Sequence, residues 1–324
     1  AVPADFDLAM TYTRPKSAYY FPARAFNDQV IEQFNAGSLF FGYMGHGFAR
    51  GFDQIRDGEE RHRILSVDDL RRLKSGSRSP VVAILACSTA HFDDPSEDCI
   101  AELMLREPGG PIAVIGGTRI THPLPNALLG ESLITRFFDT DLSRVGEVVA
   151  SSRRALHEGS TKNLLGPLAA AIMGPIDQER LLRDHDHLYV LLGDPAMRIA
   201  RPELTLDLKA PDEARAGTTI RIECRLPEAF STDEVELSLE VPRSEFATPL
   251  SESGSNDPES AKRRHARAND KALWRRKVPV TDGAFTFEAP IPREARAGTL
   301  WIKVWAKNDT LTAIGARRLT VTTD

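Results

Sequence analysis

Two short stretches hold the residue types needed for nucleophilic acyl chemistry: Gly45-His46-Gly47 and Ala86-Cys87-Ser88. A thiol attacks a carbonyl as its thiolate, and at neutral pH it needs a base or a cation to become one. Histidine is the side chain whose charge is most easily set in that range. The glycines flanking His46 permit tight turns and leave room for a substrate. The N–H groups of Gly47 and Cys87 could then point at a developing oxyanion. Taken singly, each residue also has an ordinary reading, because a lone Cys or His more often serves packing.

Both stretches follow short apolar runs. Ser38–Tyr43 precedes the histidine and Val81–Ala86 precedes the cysteine, with Pro111–Gly116 and Leu188–Leu192 further on. Each is the length of a buried strand, bounded by Gly, Pro or polar residues. Continuous apolarity points to a parallel sheet covered on both faces. Helical patterns lie between these runs at Phe26–Phe34, Asp98–Arg106, Leu128–Phe138 and Val145–His157, with Ser96 as the expected cap of the second. Strand-helix alternation implies an open α/β sheet, and such sheets place functional residues beyond the carboxyl ends of their strands. Neighbouring strands would bring His46 and Cys87 side by side there.

The texture changes after Arg201-Pro202. Short alternating runs follow at Leu204–Leu208, Thr219–Leu226, Glu234–Val241, Ala272–Val280, Ala284–Ala289, Leu300–Ala306 and Arg317–Thr322. The pattern predicts an all-β immunoglobulin-like sandwich. The expected domains are therefore 1–201 and 202–324. Ser251–Asp270 is polar and reads as a surface loop.

The 324 residues suit two domains, and 41% hydrophobic with 27% charged residues is an ordinary globular composition. A net charge of −5 gives no nucleic-acid-binding surface, and no apolar stretch reaches the roughly 20 residues of a membrane span. The start AVPADFDLAM has neither a basic n-region with an apolar core nor an initiator Met, which reads as a mature, trimmed or fragmentary chain. Three cysteines at no metal-like spacing argue against a disulfide framework. Cys99 and Cys224 have apolar neighbours and read as core.

Five ordered blocks go further: FNAGSLFFGYMGHG (34–47), ILACSTAHFD (84–93), EDCIAELMLR (97–106), GGPIAVIGGTRITHPLPN (109–126) and LLGDPAMRI (191–199). Their order and spacing resemble the gingipain-type cysteine peptidases, relatives of caspases, legumain and separase. The resemblance implies a caspase-like catalytic domain followed by an immunoglobulin-like one. It implies His46 as general base, Cys87 as nucleophile, and the Gly47 and Cys87 amides as oxyanion donors. It also implies a substrate pocket involving Met44, Leu85, His122 and Asn126, protein or peptide substrates, and a secreted or cell-surface location. No cofactor is required. Structural calcium is known in such relatives, but no oxygen-rich ligand loop stands out here.

Gingipains carry an acid upstream of the histidine, together with a preceding subdomain. Here Asp5 and Asp7 lie upstream, but neither sits in a matching block. A dyad therefore suffices, or the missing pieces reside on a separate N-terminal fragment of the same precursor. Asp93, Asp94, Glu97 and Asp98 follow the nucleophile and point towards Arg or Lys at P1, although acids at a helix start ordinarily serve as solvated caps. The cluster Arg183-Asp184-His185-Asp186-His187, read as a strand, would converge only alternate members on a metal. Lys262–Arg267 is a solvated basic run and a target for self-cleavage. A sortase-like transpeptidase would need the same thiolate, and a non-enzymatic binding scaffold would need neither His46 nor Cys87.

Overall fold

The computed structural model describes residues 2–138, 141–157, 177–250 and 257–323. Contacts divide the chain into two units, one built on Pro22–Ala200 and the other combining Pro3–Phe21 with Arg201–Asp324.

The first unit is α/β. Its main sheet has the order β1 (Phe40–Met44), β6 (Val81–Leu85), β7 (Ala113–Gly117), β8 (Tyr189–Gly193). Between β1 and β6 lie two small hairpins, β2 (Gly47–Phe48) with β3 (Gly51–Phe52), and β4 (Gln54–Asp57) with β5 (Glu60–Arg63). The helices are α1 (Ala23–Ala36), α2 (Ile100–Arg106), α3 (Pro123–Phe138), α4 (Val145–His157) and α5 (Gln178–Asp186). Every residue of β6 and β7 is buried, which explains their unbroken apolar sequence. Val81, Ala83 and Leu85 share a core with Leu128, Leu129, Leu133 and Phe137 of α3 and Val145, Val148 and Leu156 of α4. Each such leucine contributes about 2 kcal/mol on leaving water, so this core holds the strand carrying Cys87 firmly in place.

Three expectations need correction in this unit. β1, β6 and β7 are parallel, but β8 pairs antiparallel to β7. β8 is an edge strand and only partly buried, so apolarity did not encode its direction. α2 begins at Ile100 rather than Asp98. Its N-cap is Cys99, and the Glu102 carboxylate accepts the Cys99 N–H at 2.9 Å, while Ser96 bonds back to Asp94. Arg183–His187 is not a strand: it is the last turn of α5 and its C-cap.

The second unit has one sheet of order β10 (Glu213–Arg215), β16 (Thr312–Thr322), β15 (Gly298–Lys307), β12 (Glu234–Glu240), β13 (Ala272–Pro279), with β9 (Leu204–Thr205) added to β16. β11 (Thr219–Arg225) and β14 (Ala284–Pro290) form a second sheet. Ile222 and Phe285 from the small sheet meet Leu237, Leu239, Ile302 and Val304 from the large one in a single core. In β11 and β15 alternate residues face it, as the period-two pattern requires.

Here too the sequence reading needs amending. Within the expected loop Ser251–Asp270, residues 251–256 lie outside the described residues, and Pro258–Asn269 is a helix, α6. Asp257 caps it by accepting the Ser260 N–H at 2.8 Å, Pro258 occupies its first turn, and Ala261, His265 and Ala268 form its buried face. Two alanines and a histidine are too weakly apolar to register as a core stripe. Residues 3–21 belong to this unit and not to the first. The Asn269 side chain accepts the Met10 N–H at 2.7 Å, Thr11 Oγ1 lies 2.9 Å from His265 Nε2, and Asp7 pairs with Lys303 at 2.8 Å. These long-range polar contacts have no sequence period.

Candidate active site

β1 and β6 run parallel with Tyr43 opposite Ile84 and Met44 opposite Leu85. His46 and Cys87 each lie two residues beyond that last pair, at the carboxyl edge of adjacent strands. The alignment carries past the strands, since the Gly45 N–H donates to the Leu85 carbonyl at 3.4 Å. Gly47 packs directly on the cysteine loop. A Cβ there would stand 2.7 Å from Thr89 Cγ2, 2.8 Å from Ala86 Cβ and 2.9 Å from the Cys87 carbonyl oxygen. Only glycine permits this approach.

Tyr43 holds the histidine segment. Its hydroxyl donates to the His46 carbonyl at 2.7 Å and accepts the Asp53 N–H at 3.3 Å, and its ring stacks on Phe52 with centroids 4.0 Å apart. Burial pushes the phenol up to about 12, so it remains a donor. A Cβ on Gly45 would lie 2.6 Å from that hydroxyl oxygen. Among the described residues the His46 ring itself has no hydrogen-bond partner. Its placement comes through its backbone. Asp7 is taken by Lys303 in the second unit.

Cys87 is half-buried, whereas Cys99 and Cys224 are buried and their thiols are pushed up to about 11 by loss of solvent. Cys87 alone combines access with polar partners. The Thr121 N–H donates to Cys87 Sγ at 3.4 Å, and Thr121 Oγ1 lies 3.7 Å from the sulfur. Behind Thr121 stands a buried chain. Asn126 Nδ2 donates to Thr121 Oγ1 at 3.0 Å and to the Leu85 carbonyl at 3.4 Å, and Asn126 Oδ1 meets His185 Nε2 and the Tyr189 hydroxyl at 2.8 Å each. Burial lowers the His185 pKa to about 4 and raises that of Tyr189, so both are neutral donors at physiological pH.

Of the four pocket residues expected from sequence, Met44 is exposed and His122 half-exposed, with His122 Nδ1 accepting the Leu124 N–H at 3.3 Å. Leu85 and Asn126 are buried beneath the edge and support it from behind. Sequence reasoning missed Tyr43, Thr121 and Tyr189, and weighed His185 only as part of a metal-like cluster. Tyr43 and Thr121 sit in the quoted blocks and Tyr189 beside one, but neither charge nor spacing distinguishes them there. No group of three or more His, Cys, Asp or Glu residues fit to hold a metal occurs among the described residues. His185, with its ring on Asn126, is not oriented as a zinc ligand. No described helix is long and apolar enough to cross a membrane.

The half-buried Cys87 and the glycine-flanked His46 thus follow neighbouring strands at the carboxyl edge of a largely parallel sheet, where open α/β sheets place functional residues. The family model of Peptidase family C25 matches residues 2–200, and the chain belongs to that family, the gingipain-type cysteine peptidases. No curated protein matches the chain. Among solved structures, a protease shares 14% identity, with a TM-score of 0.41 over 90% of this chain and 56% of that one. An Escherichia coli alpha-2-macroglobulin activated by porcine elastase follows at 13% identity and TM-score 0.25, covering 42% of this chain and 14% of the other. The M1 domain from titin has 12% identity and TM-score 0.21, covering 36% and 94%. The chain thus spans little more than half the length of the protease it resembles.

Proposed function

We propose that the protein is a cysteine endopeptidase in which Cys87 is the nucleophile and His46 the general base and acid, on a caspase-like domain followed by an immunoglobulin-like sandwich. One observation carries this reading: Cys87 and His46 stand at equivalent positions past paired parallel strands, with Gly47 pressed against the cysteine loop. His46 takes the thiol proton and the thiolate adds to the scissile carbonyl. The Gly47 and Cys87 N–H groups receive the oxyanion. No hydrogen bond from the Cys87 N–H occurs among the described residues, which leaves that donor available. Collapse of the tetrahedral adduct breaks the C–N bond, and His46 delivers its proton to the departing amine. The same imidazole then deprotonates a water that hydrolyses the thioester and regenerates the thiol. Met44 and His122 face the substrate.

Hydrolysis of a fluorogenic peptide mixture tests the assignment. Cys87→Ala and His46→Ala each lower kcat/KM by a factor of about 1,000 or more. Full activity in either variant refutes it.

A further inference from the structure

We infer that the site accepts peptides with large apolar side chains immediately before the scissile bond, rather than Arg or Lys, an inference that rests on the peptidase reading above. Among the described residues of the first unit, the exposed large hydrophobic side chains are Met44 (59% exposed), Phe48 (60%), Phe92 (49%) and Ile120 (82%). Met44 ends β1, and Phe48, Phe92 and Ile120 lie on the segments that leave β1, β6 and β7 at the edge carrying His46 and Cys87. Scattered apolar residues are ordinary on a protein surface, but confinement to one edge marks a binding surface.

The backbone places these residues against the reacting groups. Ile120 is clamped on both sides. The carbonyl of Arg119 accepts the Ser88 N–H at 2.9 Å, and the N–H of Thr121 reaches Cys87 Sγ at 3.4 Å. Phe48 follows Gly47, which touches the Cys87 carbonyl, and Met44 pairs with Leu85 in the register. Phe92 extends the loop after Cys87, its N–H donating to the Ala90 carbonyl at 2.9 Å. Three adjacent strands span about 10 Å, which is about the length of three residues of extended substrate.

The acids expected to receive a basic P1 side chain are already engaged. Asp93 takes both Arg119 nitrogens at 2.6 and 3.0 Å, and that guanidinium holds its carboxyl below the usual range. Asp94 accepts the Ser96 hydroxyl and N–H, Glu97 pairs with Arg50 at 2.9 Å, and Asp98 pairs with Arg106. The Asp93–Arg119 pair cancels the charge beside Ile120, the most exposed of the four apolar side chains.

Labelling of Cys87 in the full chain by peptidyl acyloxymethyl ketones, followed by intact mass, measures the preference. The reagents carry Leu, Phe, Arg, Lys or Asp at P1. The leucyl or phenylalanyl reagent reacts at least tenfold faster than the arginyl and lysyl ones, and Ile120→Asp shrinks that ratio by about tenfold. Faster reaction of the arginyl, lysyl or aspartyl reagent overturns the apolar assignment and leaves the peptidase reading intact, as does an unchanged ratio in Ile120→Asp. Failure of every peptidyl reagent, with iodoacetamide alkylating Cys87 no faster than a free thiol, overturns both.

Discussion

The Thr121 N–H donates to Cys87 Sγ at 3.4 Å, and the same threonine's hydroxyl accepts a hydrogen bond from buried Asn126. Thr121 Oγ1 itself lies 3.7 Å from the sulfur. The Thr121 carbonyl is also within reach, accepting from the Cys87 thiol at 3.7 Å.

Thr121→Val retains the backbone donor and removes the hydroxyl. A net hydrogen bond is worth about 1 kcal/mol, so kcat/KM and the iodoacetamide rate at Cys87 each fall about fivefold, with thermal unfolding reporting any loss of stability separately. Unchanged rates would show that the hydroxyl does not act on the sulfur.

His185 links the same network to pH. Burial lowers its pKa from 6.5 to about 4, so between those values the unfolded chain binds a proton that the folded chain does not. Stability from this group is complete above about pH 6.5 and falls as pH drops towards about 4. Denaturant midpoints measured across this window decline on acidification in the wild type, and the slope flattens in His185→Gln.

Gly47→Ala tests the contact between the segments that carry His46 and Cys87. Its methyl meets Ala86, Thr89 and the Cys87 carbonyl at 2.7 to 2.9 Å, and part of that surface is backbone that cannot yield. Overpacking of this kind costs about 1–3 kcal/mol. Activity falls by about 100-fold or more, because His46 and the Gly47 donor move with the strained segment. Thermal unfolding and peptide hydrolysis report the two effects separately.

The basic run Lys262–Arg267 lies in α6. Native-state trypsin digestion therefore cuts there slowly, as does any self-cleavage. Asp257→Ala removes the N-cap, lowers stability by about 1 kcal/mol and speeds the cut several-fold.

Ser88, the residue after Cys87, illustrates how far the linear pattern reaches. The run Val81–Ala86 announces a buried strand, and the stop at Cys87-Ser88 announces a functional turn. The left-handed φ of 53° at Ser88, which turns its N–H to Arg119, has no signature in a serine.

Chain order alone determined the strands that carry His46 and Cys87, the helices between them and the family, because continuous apolar runs and glycine-flanked blocks are local properties. Tertiary structure decided which groups serve the pair. Thr121, Asn126, His185 and Tyr189 come from three segments and meet only when β6, β7 and β8 assemble. Tyr43 reaches the His46 backbone only because Gly45 leaves space for its hydroxyl. The attachment of residues 3–21 to the second unit, and the pairing of Asp93 with Arg119 and of Glu97 with Arg50, likewise depend on contacts between residues far apart in the chain. Side-chain hydrogen bonds at such separation leave no periodicity, so they appear only once the chain is folded.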